Sequence, residues 1–341
     1  MSQSESSPRV ARRASRARTP AQVIAVLGVA LGASFAQAQS QAYPSRPIRL
    51  IVPYPPGASS NDILGRGIAL RLTSVLGQQV VVDNRSGASG TLGSEIAARS
   101  APDGHTLLMA VAGPMSVGPS VYPNLTYDPV RDFAPIAVFA TVPYVMTVGP
   151  SVPANNIREL IALAKAKPGQ LTFGSSGNGG SPHLCGELFK TMAGVDMIHI
   201  PYKGGALAVA DVVGGRVQML CTGMVALSGH IKSGKLRAIG MATLERSAAL
   251  PDLPTISEQG LKGFDVNSWS GIVAPAKTPR AIVSRLYDAT EQVVRSAEFV
   301  TFLEGQGAEP LLMKPDQFAA YIKVEVARWG KVVRAAKVTA E

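Results

Sequence analysis

Hydrophobic and polar positions along this chain alternate between two spacings. Short unbroken apolar runs, as expected of strands buried on both faces, are followed by longer stretches whose apolar positions recur three and four apart, as in helices. Residues 48–52 read as a strand, 62–76 as a helix, 80–83 as a strand, 91–99 as a helix and 106–109 as a third strand. The middle of the chain repeats the pattern. Asn156 with Glu159 three residues on forms a capping box for a helix to Lys167, which Pro168-Gly169 stops. Ser181 is expected to cap a helix that opens on Pro182 and ends at Gly194. Strands at 197–200, 218–221 and 236–241 then alternate with helices at 207–213 and 226–233.

Two long apolar runs, 136–148 and 266–274, read as crossings between two α/β units, and only helices are expected after the second (279–295, 298–306 and 315–336). The predicted fold is therefore α/β, with a discontinuous first domain (43–142 and 267–341), an inserted second domain (143–266) and two hinge strands. Ligands of open α/β sheets bind at the carboxyl ends of the strands. Three of those ends, in 48–62, 80–90 and 171–182, run into loops of Gly, Ala and Ser that open a helix. Residues this small let a ligand approach the backbone, and the unpaired N–H groups of the helix start bind anions.

The N-terminus changes the picture of where the chain works. Arg9, Arg12, Arg13, Arg16 and Arg18 precede an apolar stretch at 21–36, and Ala36-Gln37-Ala38 is a small-residue cleavage site, with Ser40-Gln41-Ala42 as a second option. Residues 1–38 read as a secretory signal peptide, its apolar stretch too short for the roughly 20 residues of a membrane span. The mature chain would carry 28 basic and 22 acidic residues, net +6, a charge that draws in anions or serves solubility alone. Lys and Arg are scattered without interleaved aromatics, which argues against nucleic acid. Cys185 and Cys221 stay open between two buried thiols and a bridge.

Enzyme chemistry leaves little trace. His105, His183, His199 and His230 read as isolated, and no HExxH, GxSxG, Walker lysine or GxGxxG is present. No cofactor or metal is expected. Asp62, Asp83 and His183 could join a serine in a hydrolytic set, but no spacing singles the serine out. His183, on a helix's first turn, reads as a surface residue before a ligand contact; Tyr202 reads equally as cleft wall or packing; Trp269 reads as hinge packing; Lys203 reads as a solvated lysine.

Several strings in fixed order carry a family resemblance: Tyr43-Pro44-Ser45-Arg46-Pro47, Asp83-Asn84-Arg85-Ser86-Gly87-Ala88-Ser89-Gly90, Ala101-Pro102-Asp103-Gly104-His105, Gly174-Ser175-Ser176-Gly177-Asn178-Gly179, Pro201-Tyr202-Lys203-Gly204-Gly205 and Leu250-Pro251-Asp252-Leu253-Pro254-Thr255. The chain resembles the periplasmic substrate-binding proteins of tripartite tricarboxylate transporters, the Bug or TctC family. That resemblance implies a two-domain Venus-flytrap binder, suited to working as a monomer, that captures a di- or tricarboxylate, an acidic amino acid or an aromatic acid for a membrane permease. Carried across, its ligand contacts would be Gly57, Ala58, Ser59, Ser60, Ser86, Gly87, Ala88 and Ser89, with Ala112 and Gly113 from the next strand end. The second domain would add Ser175, Ser176, His183, Tyr202 and Thr222. Ala58 and Ser89 stand where Gly is usual, and the first loop is one residue longer. Cys221 and Thr222 replace an aromatic and an acidic residue, which argues against an amino acid, whose ammonium wants a counter-charge. A ligand sensor that presents its closed form to a receptor, or an exported hydrolase, are the alternatives.

Overall fold

The computed structural model describes residues 43–57, 60–336 and 338–339. The signal segment expected at 1–38 lies outside them, as do Ala58 and Ser59. Among the described residues, no helix is long and apolar enough to cross a membrane.

Among the described residues, ten strands form two sheets that share one long strand. In the first lobe, β1 (Ile48–Val52) pairs in parallel with β2 (Val80–Asn84) and β3 (Thr106–Val111). β3 then meets β9 (Asn267–Pro275) antiparallel, and β9 lies along β4 (Phe133–Val148). In the second lobe, β5 (Thr172–Ser175) lies between β6 (Ile198–Pro201) and β7 (Met219–Gly223), parallel to both. β4 passes from one sheet to the other: its residues to Pro143 pair with β9, and those from Tyr144 pair with β7. β8 (Arg237–Met241) covers the other edge of this second half. A continuous apolar run is what a strand buried on both faces in both sheets requires.

Helices follow the strands much as their periodicity predicts. They are α1 (Ser60–Leu76), α2 (Thr91–Ala98), α3 (Gly118–Val121), α4 (Ile157–Ala166), α5 (Ser181–Ala193), α6 (Gly205–Val213), α7 (Met224–Lys232), α8 (Arg280–Val294), α9 (Ala297–Gln306) and α10 (Pro315–Ala336). Asn156 caps α4 by accepting from the Glu159 N–H at 2.9 Å, and Glu159 reaches back to the Asn155 N–H at 2.7 Å.

Two expectations change, and one open question closes. Ser181 is not a cap: Gly180 holds that position, and Ser181 lies inside the first turn of α5. The chain beyond β9 is not helical throughout, because β10 (Glu309–Met313) pairs antiparallel with β4. Pro310 is tolerated there because β10 is an edge strand, and that proline hides the strand from a periodicity reading. The cysteines form the Cys185–Cys221 disulfide, with Cα atoms 6.0 Å apart, joining the second turn of α5 to β7.

α8 and α9 cover the first sheet, where Leu286, Val293, Phe299 and Leu303 join its core. α10 serves both lobes. Phe318 and Ile322 pack with Trp269 of β9, whereas Trp329 and Val333 pack with Phe173 and Phe189 of the second lobe. Trp269 is buried edge-on to Phe318 at 5.2 Å, a packing role at the crossing. Burying apolar side chains of this size is worth about 1.5–3 kcal/mol each.

Candidate functional site

The loop after β1 is built around an internal carboxylate. Asp62 Oδ2 accepts from the Gly57 N–H at 3.0 Å and from Arg66 Nε at 2.9 Å, and Asn84 Nδ2 donates to Oδ1 at 2.8 Å. Burial pushes the Asp62 carboxyl up, but these hydrogen bonds outweigh it and hold its pKa below the usual carboxylate value. The Gly57 amide is therefore turned inward, onto the protein's own anion.

The second loop bends through four successive residues of positive φ: Gly87 (148°), Ala88 (43°), Ser89 (52°) and Gly90 (96°). Two of these are not glycine, and non-glycine residues held in this region mark sites the surrounding structure over-determines. Here the Tyr54 hydroxyl donates to the Ser89 carbonyl at 3.1 Å, and Ser89 Oγ donates across to the Asn178 carbonyl at 2.8 Å. Tyr122 donates to that same carbonyl at 2.8 Å.

Two cavities lie along this contact. An outer one of about 510 Å³ is lined by Ser86, Gly87, Ala88, Ser89 and Tyr122 of the first lobe and by Ser176, Gly177, Asn178, Tyr202 and Lys203 of the second. An inner chamber of about 50 Å³ has room for a few waters or a compact polar group. Ser60, Asn61, Gly113, Ser176, Ser181 and Thr222 line it, with Tyr144 and Ser268 from the crossing strands. Burial raises the Tyr144 pKa to about 12, so it stays a neutral hydroxyl. Among the described residues, the inner chamber has no charged side chain in its wall, and the outer cavity has only Lys203.

Helix starts surround both spaces. α2, α5, α6 and α7 are N-capped by Gly90, Gly180, Gly204 and Gly223, none of which makes a side-chain capping bond. Away from the cavities, Asn156 of α4 and Ser296 of α9 do cap with their side chains. A glycine cap leaves first-turn N–H groups available, and the helix dipole adds partial positive charge there.

Most residues predicted to bind thus meet at these cavities: Ser60, Ser86, Gly87, Ala88, Ser89, Gly113, Ser176, Tyr202 and Thr222. Others lie elsewhere. Ala112 is buried in the first-lobe core. Ser175 is fully buried behind the wall; its Oγ is 2.6 Å from His199 Nε2 and accepts from the Gly177 N–H at 3.1 Å. His183 is not a surface residue: it is 6% exposed, and its Nδ1 accepts from the Gly179 N–H at 3.0 Å. Nor are the histidines isolated, since His183 and His199 stack with ring centroids 3.8 Å apart. Burial lowers the His183 pKa to about 4, and burial with the neighbouring His183 lowers that of His199 to about 3.

Tyr54, Tyr144, Asn178, Ser181 and Ser268 also belong to the walls and were not singled out in the sequence. A tyrosine two residues beyond β1, and another inside the first apolar crossing, were the available signals.

The chain matches the family described as "Tripartite tricarboxylate transporter family receptor" over residues 64–338. It is 37% identical to the protein BugT of Bordetella pertussis, over 92% of this chain and 96% of that protein. Among solved structures, an R. palustris protein with adipate is 35% identical, covers 87% of this chain and 99% of its own, and superposes with a TM-score of 0.84. MatC from Rhodopseudomonas palustris with bound malate is 30% identical, covers 85% and 100%, and superposes with a TM-score of 0.80.

Proposed function

The chain belongs to the tripartite tricarboxylate transporter receptor family, and from that premise we propose that it captures a small organic dicarboxylate between its lobes for delivery to a membrane permease. One observation carries this reading: glycine-capped helix starts ring two adjoining cavities whose walls, among the described residues, hold a single charged side chain, Lys203. Fixed dipoles and neutral hydroxyls hold an anion without the desolvation a buried cation would suffer. Helix starts reach both cavities, so each takes one end of the ligand. The inner chamber faces Ser60, Ser181, Gly205 and Gly223, and the outer cavity faces Gly90 and Gly204.

Adipate in one relative and malate in another support a dicarboxylate. Among the described residues no Asp or Glu lines either cavity, which disfavours an amino acid because its ammonium would lack a partner. Capture fits better than turnover. Among the described residues, the serine bonded to a histidine, Ser175, is fully buried with its hydroxyl also engaged by Gly177, and so it is not placed to attack a ligand. Export by the N-terminal segment, action in the periplasm and a monomer that closes about β4 and β9 complete the proposal.

A thermal-shift screen of the mature chain, unfolded and refolded to strip carried-over ligand, tests it. Succinate, adipate, malate, benzoate, glutamate and uncharged diols would be compared. A dicarboxylate at 100 times its Kd adds about 2.7 kcal/mol of stability. Shifts with diols and none with acids would overturn the reading.

A further inference from the structure

The loop between β5 and α5 walls both cavities, yet no sheet ladder holds it. Gly177 and Gly179 within it have φ of 128° and 70°, so its path depends on what anchors those two amides as well as on the Asn178 carbonyl that Ser89 and Tyr122 hold. We infer that His183 and His199 are a positioning pair: through one ring nitrogen each, they set the backbone of residues 175–180 that faces the ligand.

His183 acts directly, its Nδ1 accepting from the Gly179 N–H at 3.0 Å. His199 acts through Ser175, whose Oγ is 2.6 Å from His199 Nε2 and accepts from the Gly177 N–H at 3.1 Å. The two rings stack within 7° of parallel, so neither can swing without moving the other. Phe173, the register partner of His199, stacks beneath it at 4.9 Å. Gly186 lets Phe173 come this close, since a Cβ there would fall 2.2 Å from the ring. Because an amide donates to Nδ1, the His183 proton belongs on Nε2, which faces Glu187 Oε1 at 3.8 Å. Apolar packing alone would not require this assignment of nitrogens.

That asymmetry gives a crossed test. An asparagine amide sits where Nδ1 of a histidine sits, and a glutamine amide where Nε2 sits. The Gly179 amide should keep its hydrogen-exchange protection in His183→Asn and lose about fivefold or more in His183→Gln. The Gly177 amide should keep protection in His199→Gln and lose it in His199→Asn. If the two replacements at a site act alike, the rings serve only as packing and the inference is overturned. Ring nitrogen-15 shifts of the wild-type chain provide a check that no folding failure can spoil. They should show His183 protonated on Nε2, and a proton on Nδ1 would overturn the inference. Adipate affinity should follow the same crossed order, an arm that rests on the proposed carboxylate reading. If no variant and no wild-type chain binds adipate while the amide pattern still crosses, the ligand assignment fails and the positioning pair stands.

Discussion

Ser89 Oγ donates to the Asn178 carbonyl at 2.8 Å, a hydrogen bond between the two lobes made by a serine held at a φ of 52°. A left-handed serine is strained, and this bond is a return for the strain. Replacement by glycine separates the two. Ser89→Gly removes the hydroxyl while accepting the backbone conformation, so ligand affinity should fall about two- to tenfold, through faster release, with little loss of stability. Ser89→Ala should lose the same affinity and also melt earlier, because alanine keeps the strain. Stopped-flow release of a bound dicarboxylate, read beside the melting temperature, checks both. Unchanged release in Ser89→Gly would show that the bond does not hold the lobes together.

The Cys185–Cys221 bridge closes a loop of 36 residues and fixes α5 against β7, two elements whose ends meet at the inner chamber. Cross-linking a loop of that length stabilises by about 4 kcal/mol on the chain-entropy model. Cys185→Ala with Cys221→Ala should therefore lower the denaturation midpoint strongly, and reductant should destabilise the parent chain alone. Equal midpoints for parent and double variant in urea, without reductant, would refute this.

Acid should weaken the fold before its carboxylates titrate. His183 and His199 have folded pKa values of about 4 and about 3, below the ordinary value of 6.5, so the unfolded chain binds more protons as soon as pH falls below 6.5. Stability is full above that point and declines as pH drops toward 4. The groups facing the pair are Glu187 and Lys190 of α5, with Phe173 and Ser175 from β5. Asp62 and Asp83, both shifted below the carboxylate range, lose their contribution only at lower pH. Between pH 6.5 and 4.5 the pair should cost on the order of 4–5 kcal/mol. Urea titrations should show that slope in the parent and a flatter one in His183→Asn combined with His199→Gln.

How much of this was legible depended on whether the signal was local. β1, the Asn156 cap and the Gly194 stop are written within a few residues each, and all three stand as predicted. β10 was hidden, because an edge strand with Pro310 lacks the alternation that marks a half-buried strand. The second loop was legible as a cavity wall, since its small residues follow a strand. The Ser175–His199 bond was not, because the two are 24 residues apart on adjacent parallel strands and meet only through register. The same holds for Ser89 with Asn178, separated by 89 positions and joined only when the lobes meet.

Thr222 supplies the sharpest test of ligand class. It is mostly buried, follows Cys221 on β7 and lies in the wall of the inner chamber. An acidic residue there would put a negative charge among the helix starts that, in the proposed function, receive the ligand's own carboxylate. Thr222→Asp should thus lower dicarboxylate affinity at least about tenfold, since a like charge in a desolvated site is worth more than 1.4 kcal/mol. The same carboxylate offers an ammonium its missing partner, so aspartate or glutamate binding should improve relative to succinate. Calorimetric titration of both ligand classes into parent and variant measures that exchange. If Thr222→Asp weakened every acid equally, the chamber would be sensing net charge alone, and the lack of a counter-charge would not explain selection against amino acids.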